Sequence, residues 1–590
     1  MASDRRTASH RQRHQSRVEV SLAHRIVFLV AISLSAVSNG LTGDMIIREK
    51  LCSMRAHRFC SRIQTHKVRI PYHRDARGFV AVAMDANFGQ DRTPSPTFYQ
   101  RLNSPRHILA PMVAQSDMPF RLMCEQLYAV DLSYTQMIHA VNFAAPHGET
   151  FRTNHLDVYP QSIVRDVLLG NGDSGAILVS PSQVNAISGL CHNDIEQSRK
   201  RILSAISERN GISVISESSI DVKPTVVQIA AHDPDIAVKA ANMILEMSGS
   251  IDALKSGDIC PVAAIDLNLG CPQGIARKGR YGSFLHDEYP ELTYNVLAKL
   301  RSNLPQQIGV TAKIRLPPTQ GDADAGRLGN ISRVGNGPQT IDERMQCLIN
   351  CGVDLITVHG RTRFENKVTV SGADWKSVRQ CVKTARICSG DEYYPIFSNG
   401  GIECWEDVQK CLDRTNASGA MSSESLLENP GLFCSEGATT TARDFLERQL
   451  RYSEMYLDYA TIFPPLPGSL GIKGGSFNVI RSHLFKFLHR YLDDHPDLRT
   501  SLGDHKLNTI KHSRELVSNL RLRYDNFGEE ELRAMKSWGH GSSWYRRHRQ
   551  NMMQNEAVSS TSMEERKQEM RMRIIRIKEE RTKSSINPIQ

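Results

Sequence analysis

Between His107 and Glu424 the chain repeats one pattern, a short apolar run followed by a stretch with helical spacing. Eight such runs can be read: "HILAPMV" from His107, "LSYTQMI" from Leu132, "PTVVQIA" from Pro224, "AIDLNLG" from Ala264, "GVTAKIRL" from Gly309, "LITVHGR" from Leu355, "PIFSNGG" from Pro395 and "SGAMSSE" from Ser418. Short continuous apolar runs alternating with helices are what a parallel sheet covered on both faces requires. Eight of them favour a closed α/β architecture, the (β/α)8 TIM barrel, over an open doubly wound sheet of five or six strands.

The rhythm places a barrel over about 101–437. Two intervals inside it, about 145–222 and 317–340, are too long for one helix and carry "GNGDSG" and "PTQGDADAGRLGNISRVGNGP", so both are expected to be flexible surface insertions. From about 438 to 530 strand-like runs cease and helical spacing takes over, as in "ARDFLERQLRYSEMYLDYA", which marks a smaller all-helical domain. The tail 531–590 is a charged run, either a solvated helix or disordered.

Residues 1–100 form a long basic extension. Its apolar run, Ile26 to Val37, is too short to span a bilayer comfortably but fits the core of a signal peptide. The Arg- and His-rich, acid-poor stretch that follows has transit-peptide composition. A disordered extension, or initiation at Met84, accounts for the same residues. No stable membrane association is expected of the mature protein.

A net charge of +10 suits an anionic partner such as nucleic acid, although a basic leader adds to the same sum. The 13 cysteines include no CxxC pair, which favours a reduced compartment without a zinc site, and no metal is expected.

In a parallel barrel the reacting groups project from the C-terminal strand ends. Pro111, Met112 and Val113 close the first run, Gln228 lies in the third, Asn268 and Cys271 close the fourth, and Lys313 and Arg315 lie in the fifth. His359 and Arg361 close the sixth, Asn399, Gly400 and Gly401 the seventh, and Ser422, Ser423 and Glu424 the eighth. Singly, each has an ordinary role: Gln228 and Asn268 as satisfied core amides, His359 as a capped strand end, Lys313 in an interior ion pair. Together, cations and glycine turns at the last strands suit a phosphate. No GxGxxG follows an opening strand, so a mononucleotide such as FMN is a more economical ligand than a dinucleotide.

The blocks "LAPMV", "VQIAAHDP", "DLNLGCPQGIARKGRYGSFL", "KIR", "VHGRT", "SNGGI" and "GAMSSESLLENPGLF" stand in the order and spacing of the flavin-dependent tRNA-dihydrouridine synthases. The chain resembles most the eukaryotic subgroup acting at positions 16 and 17 of the D-loop, from about Arg106 to Asp497. The resemblance implies an FMN barrel re-reduced by NADPH or NADH. Pro111, Met112 and Val113 would lie along the flavin ring, Gln228 and Lys313 at its polar edge, and His359 near it. Asn399, Gly400, Gly401, Ser423 and Glu424 would line the phosphate side; Glu424 replaces a bacterial arginine, so backbone donors would have to hold the phosphate there.

Reducing the 5,6 double bond of uracil needs a hydride on one carbon and a proton on its neighbour. Reduced flavin supplies the first from N5, and Cys271, with an ordinary thiol pKa of about 8.5, suits the second.

For tRNA, the expected contacts are Asn268, Arg277, Lys278 and Arg280 around the cysteine loop, Arg361 after the sixth run, and Arg481 and Lys486 in "RSHLFKFLHR", the helical domain being the family's tRNA grip. A monomer is expected. The resemblance implies the cytoplasm, while the N-terminal composition implies an organelle such as a plastid. Two other readings fit the same residues: an FMN barrel acting on a free small molecule, and a catalytically inactive RNA-binding homologue.

Overall fold

Each of the eight apolar runs contributes to one parallel sheet in the computed structural model, which describes residues 97–171, 178, 186–213, 215–319, 321–322, 339–365, 372–434, 441–466, 475–504 and 509–535. The strands are β1 (His107–Leu109), β2 (Leu132–Ser133), β3 (Ile138–His139), β4 (Thr225–Ala230), β5 (Val262–Leu269), β6 (Gly309–Arg315), β7 (Leu355–His359), β8 (Ile396–Asn399) and β9 (Gly419–Ser422). Their order is β2-β1-β9-β8-β7-β6-β5-β4-β3. β2 and β3 are the two ends of the second run. β2 pairs with β1, β3 pairs with β4, and Tyr134 between them bridges to Val226, so the ring closes through this single run.

The helix Phe98–Arg101, which straddles the boundary between the basic extension and the barrel, packs with the barrel. Thr97 caps the helix Phe98–Arg101 with a capping box, and Phe98 packs among Ile108, Val226, Ala264 and Phe397. A Cβ on Gly309 would collide with the Phe98 ring, so glycine is what lets the helix plug this end. The Tyr99 hydroxyl fixes it by donating to the Pro105 and Ser418 carbonyls at 3.1 and 3.0 Å.

The first interval expected to be a flexible insertion is largely folded. Helices Glu149–His155, Gln161–Leu169 and His192–Asn210 occupy it, and Val164, Leu168, Ile202 and Ile206 are buried. Helical spacing inside the interval carried this information; the glycine- and serine-rich stretches obscured it. Ile202 and Ile206 share one core with Phe120 and Met123 of the barrel helix Met118–Leu127 and with Leu450 and Leu457 of the C-terminal helices. Arg201 and Arg514 both donate to the fully buried Asp458, at 2.6 and 2.7 Å, and join the interval to the helical part.

That part comprises helices Ala442–Ile462, Gly475–Asp494, Pro496–Gly503, Ile510–Tyr524 and Glu529–Ala534. Among the described residues no helix is long and apolar enough to cross a membrane. The leader-like segment, most of the 317–340 interval and the tail beyond Met535 lie outside the described residues.

Candidate active site

β5 is buried along nearly its whole length, yet "VAAIDLNL" carries an acid and an amide two residues apart, which pleating places on one face. That face points into the barrel. Asp266 pairs in register with Gln228 of β4 and Thr311 of β6, and Asn268 pairs with Lys313. Gln228 Nε2 and Thr311 Oγ1 donate to the Asp266 carboxylate at 2.8 and 2.7 Å. Asn268 Nδ2 donates to Gln228 Oε1 at 2.8 Å, and its Oδ1 accepts the N–H groups of Gly270 and Cys271, both at 3.1 Å.

Burial raises Asp266 to about 6, against the pull of its donors and of Lys313. Burial and the nearby Arg315 cation lower Lys313 to about 8. Among the described residues the Lys313 amine has no hydrogen-bond acceptor, and its side chain is half-buried. A charged or polar group entering the barrel mouth would supply one.

Cys271 opens the loop after β5 with a free thiol. Its backbone is held from two sides: Asn268 Oδ1 accepts its N–H, and its carbonyl accepts Ser283 N and Oγ at 3.1 and 3.0 Å. Gly282 makes this closeness possible. It has φ +67°, and a Cβ there would stand 2.5 Å from the Cys271 carbonyl oxygen. Arg315 Nε donates to the Gly270 carbonyl at 2.8 Å, completing the seat. Burial pushes the thiol up, and the Gln273 backbone N–H and the Arg315 and Lys313 cations offset only part of that, so Cys271 holds its proton at neutral pH.

Two strands on from β5, His359 ends β7. Burial and the cations Arg315, Lys313 and Arg361 push its pKa well below the usual range. Arg361 Nη1 lies 3.0 Å from His359 Nε2, and a guanidinium can only donate, so Nε2 accepts and the imidazole is neutral. Gly400 and Gly401 turn back over this ring with φ +100° and +78°; a Cβ on Gly400 would be 2.9 Å from His359 Cδ2. Trp375 Nε1 holds the turn by donating to the Gly400 carbonyl at 3.1 Å. Asn399 is buried and donates Nδ2 to the Met421 carbonyl at 2.9 Å, tying β8 to β9. Ser423 precedes the short helix Glu424–Glu428, where Glu424 is exposed.

Pro111, Met112 and Val113 follow β1 in a loop, with Val113 47 % exposed. The loop is bound to the helical part. Gln115 Oε1 accepts Lys486 Nζ at 2.6 Å and its Nε2 donates to Ser482 Oγ at 3.0 Å, while Asp117 accepts from Tyr456 and faces His483.

The expected RNA contacts therefore divide. Lys486 spends its amine on Gln115, Ser482 O and Ser482 Oγ, and burial lowers it to about 8. Arg481 donates to Asn478 and is half-buried. Arg361 is buried beside His359 rather than turned outward. Arg277, Lys278 and Arg280 are exposed on the cysteine loop, next to Asn268 and Cys271. The sequence reading left out Asp266, Thr311 and Asp117. Asp266 had a visible signal as the one acid in a buried strand; the other two had none.

A closed parallel barrel whose strand ends gather a protonated thiol, a half-buried amine and a neutral imidazole is a barrel-enzyme site rather than a binding module. Among the described residues no cluster suited to a metal ion accompanies it. The family described as Dihydrouridine synthase (Dus) matches residues 108–164 and 197–461, and the chain belongs to it. A tRNA-dihydrouridine(16/17) synthase NAD(P)(+)-like protein of Rattus norvegicus is 29% identical over 429 residues, 72% of this chain and 69% of that relative. The tRNA-dihydrouridine(16/17) synthases of Schizosaccharomyces pombe and Saccharomyces cerevisiae are 26% and 27% identical, each over 69% of this chain and over 75% and 70% of their own lengths.

Proposed function

We propose that this chain reduces the 5,6 double bond of uridine in the D-loop of tRNA, at positions 16 and 17, with FMN as cofactor and NADPH or NADH as reductant. The observation that carries the reading is Cys271, a thiol kept protonated by burial and seated between Asn268 and Gly282 beside Lys313. The named relatives supply the substrate class.

The residues present fit a flavin. The Lys313 amine lacks an acceptor among the described residues, and the Gly400–Gly401 turn at the end of β8 carries no side chain that would stand between its backbone and an incoming group. When bound, the flavin supplies the hydride. Lys313 and the second N–H of Gln228 would hold its polar edge, and the neutral His359 would stand against it without adding charge. Met112 and Val113 would offer an apolar wall, and Asn399, Ser423 and Glu424 would border the phosphate end. Cys271 Sγ would deliver its proton to the carbon next to the one receiving hydride, and the Lys313 and Arg315 cations would stabilise the thiolate left behind.

The uridine must leave its stack, at a cost of a few kcal/mol. The exposed Arg277, Lys278 and Arg280 beside Cys271 would meet the phosphates flanking such a base. In this reading the barrel, to about 437, does the chemistry, and the helical part, 438–530, shapes the tRNA surface without spending Lys486 on it. Incubating purified holoenzyme, NADPH and unmodified tRNA, then mapping dihydrouridine by mass spectrometry, tests the proposal. Product at 16 and 17 supports it; reduction of free uracil or orotate at comparable rates, with tRNA untouched, overturns it.

A further inference from the structure

Two neutral amides facing each other can exchange donor and acceptor roles, so a Gln–Asn pair has no inherent direction. A carboxylate removes the ambiguity because, when ionised, it can only accept. We propose that Asp266 is a positioning residue whose carboxylate fixes the direction of a hydrogen-bond relay running through the Gln228 and Asn268 amides to the backbone N–H of Cys271.

The links follow one from another. Asp266 Oδ2 takes the Gln228 Nε2 proton at 2.8 Å, which turns Gln228 Oε1 toward Asn268. Oε1 must then receive an N–H, and Asn268 Nδ2 supplies it at 2.8 Å. That leaves Asn268 Oδ1 facing Gly270 N and Cys271 N, the two backbone donors that seat the thiol. Reversing the first amide would set two NH2 groups against each other. Reversing the second as well would point an NH2 at the Gly270 and Cys271 N–H groups.

Asp266 is fully buried in β5, so water cannot compete for either carboxylate oxygen, and Thr311 Oγ1 occupies the other at 2.7 Å. The relay also sets which atoms Gln228 and Asn268 turn toward the barrel mouth, and so which polar groups a pyrimidine meets. This consequence rests on the proposed reaction; the seating of Cys271 does not.

The test is the alkylation rate of Cys271 in the apo-protein, followed by peptide mapping, with buried Cys124 and Cys347 as internal controls for unfolding. Asp266→Asn is nearly isosteric but replaces an acceptor-only group with one that also donates, so the Gln228 amide is no longer held in one orientation from this end of the relay. The expected result is Cys271 alkylation at least fivefold faster, with the control cysteines unchanged. Asp266→Asn combined with Gln228→Glu restores a carboxylate able to accept from both neighbours, and the rate should return to within about twofold of wild type. Thr311→Val removes a hydrogen bond from Asp266 but leaves the relay intact, so Cys271 should react as in wild type. Gln228→Leu breaks the relay one link further on and should also speed alkylation, which keeps the idea testable should Asp266→Asn fold poorly. An unchanged rate in Asp266→Asn and Gln228→Leu, or equal acceleration in Thr311→Val, would overturn the proposal. Because no turnover is measured, absence of dihydrouridine formation in wild type would refute the proposed reaction without touching this outcome.

Discussion

His483 Nε2 stands 2.7 Å from Asp117 Oδ1 across 366 residues of sequence, and both side chains are buried. Tyr456 donates to the other carboxylate oxygen at 2.8 Å, and the imidazole packs against the rings of Phe120 and Phe487, with centroids 4.6 and 5.8 Å away. Asp117 follows directly on the Pro111–Ser116 loop, so the helical part holds the wall that would face the cofactor.

Asp117→Ala should therefore act at two places. It leaves the buried His483 and Tyr456 without their acceptor, a loss of about 3 kcal/mol for breaking a buried pair. It also frees the loop that carries Met112. Urea unfolding should report the first effect and a lower flavin content per folded protein the second. A stability loss with full flavin retention would show that the latch does not position the loop.

Lys486 and Lys278 make opposite predictions although both are lysines near the mouth. Lys486→Ala removes three hydrogen bonds within the protein, so it should lower the melting temperature and leave the salt dependence of tRNA binding nearly unchanged. Lys278→Ala with Arg280→Ala should leave stability nearly unchanged and reduce the slope of log K against log salt by roughly 1.5, since each phosphate contact contributes about 0.7 to 0.9. Filter binding over a salt series separates the two.

The strands were legible because a buried parallel sheet leaves little freedom: "PTVVQIA" or "LITVHGR" reads as a strand by apolarity alone, and the C-terminal ends then nominate Cys271, Lys313 and His359. What could not be read depends on partners distant in sequence. Arg481 and Lys486 share helical spacing, but the spacing does not say that Lys486 turns toward Gln115 in the β1 loop. Asp266 is visible as an acid in an apolar strand, yet its role is defined by Gln228 on one neighbour and Thr311 on the other. The helix Phe98–Arg101 has too few residues for a periodicity to appear, and only the space left by Gly309 reveals its place.

Lys313 should impose a pH dependence on cofactor binding. Its ammonium, ordinarily lost near 10.5, is lowered to about 8 by burial and by Arg315. The cation is present below about pH 8 and lost above it. Flavin affinity of the apo-protein, read by fluorescence quenching, should hold between pH 6.5 and 7.5 and fall as pH rises through about 8. Lys313→Met should bind weakly with a flat profile. A wild-type affinity that does not change up to pH 9 would remove the amine from the polar edge.

Cys271 and Gly282 can be separated by chemistry although they touch. Cys271→Ala removes the proton donor and keeps the loop, so flavin binding and NADPH oxidation should persist while dihydrouridine formation drops by at least a hundredfold. Gly282→Ala keeps the thiol but places a Cβ 2.5 Å from the Cys271 carbonyl oxygen at φ +67°, so the loop must move. That variant should lose product formation together with stability. Its Cys271 should also alkylate faster, because the seat rather than the proton has been lost. Product formation by Cys271→Ala at the wild-type rate would assign the proton to another group.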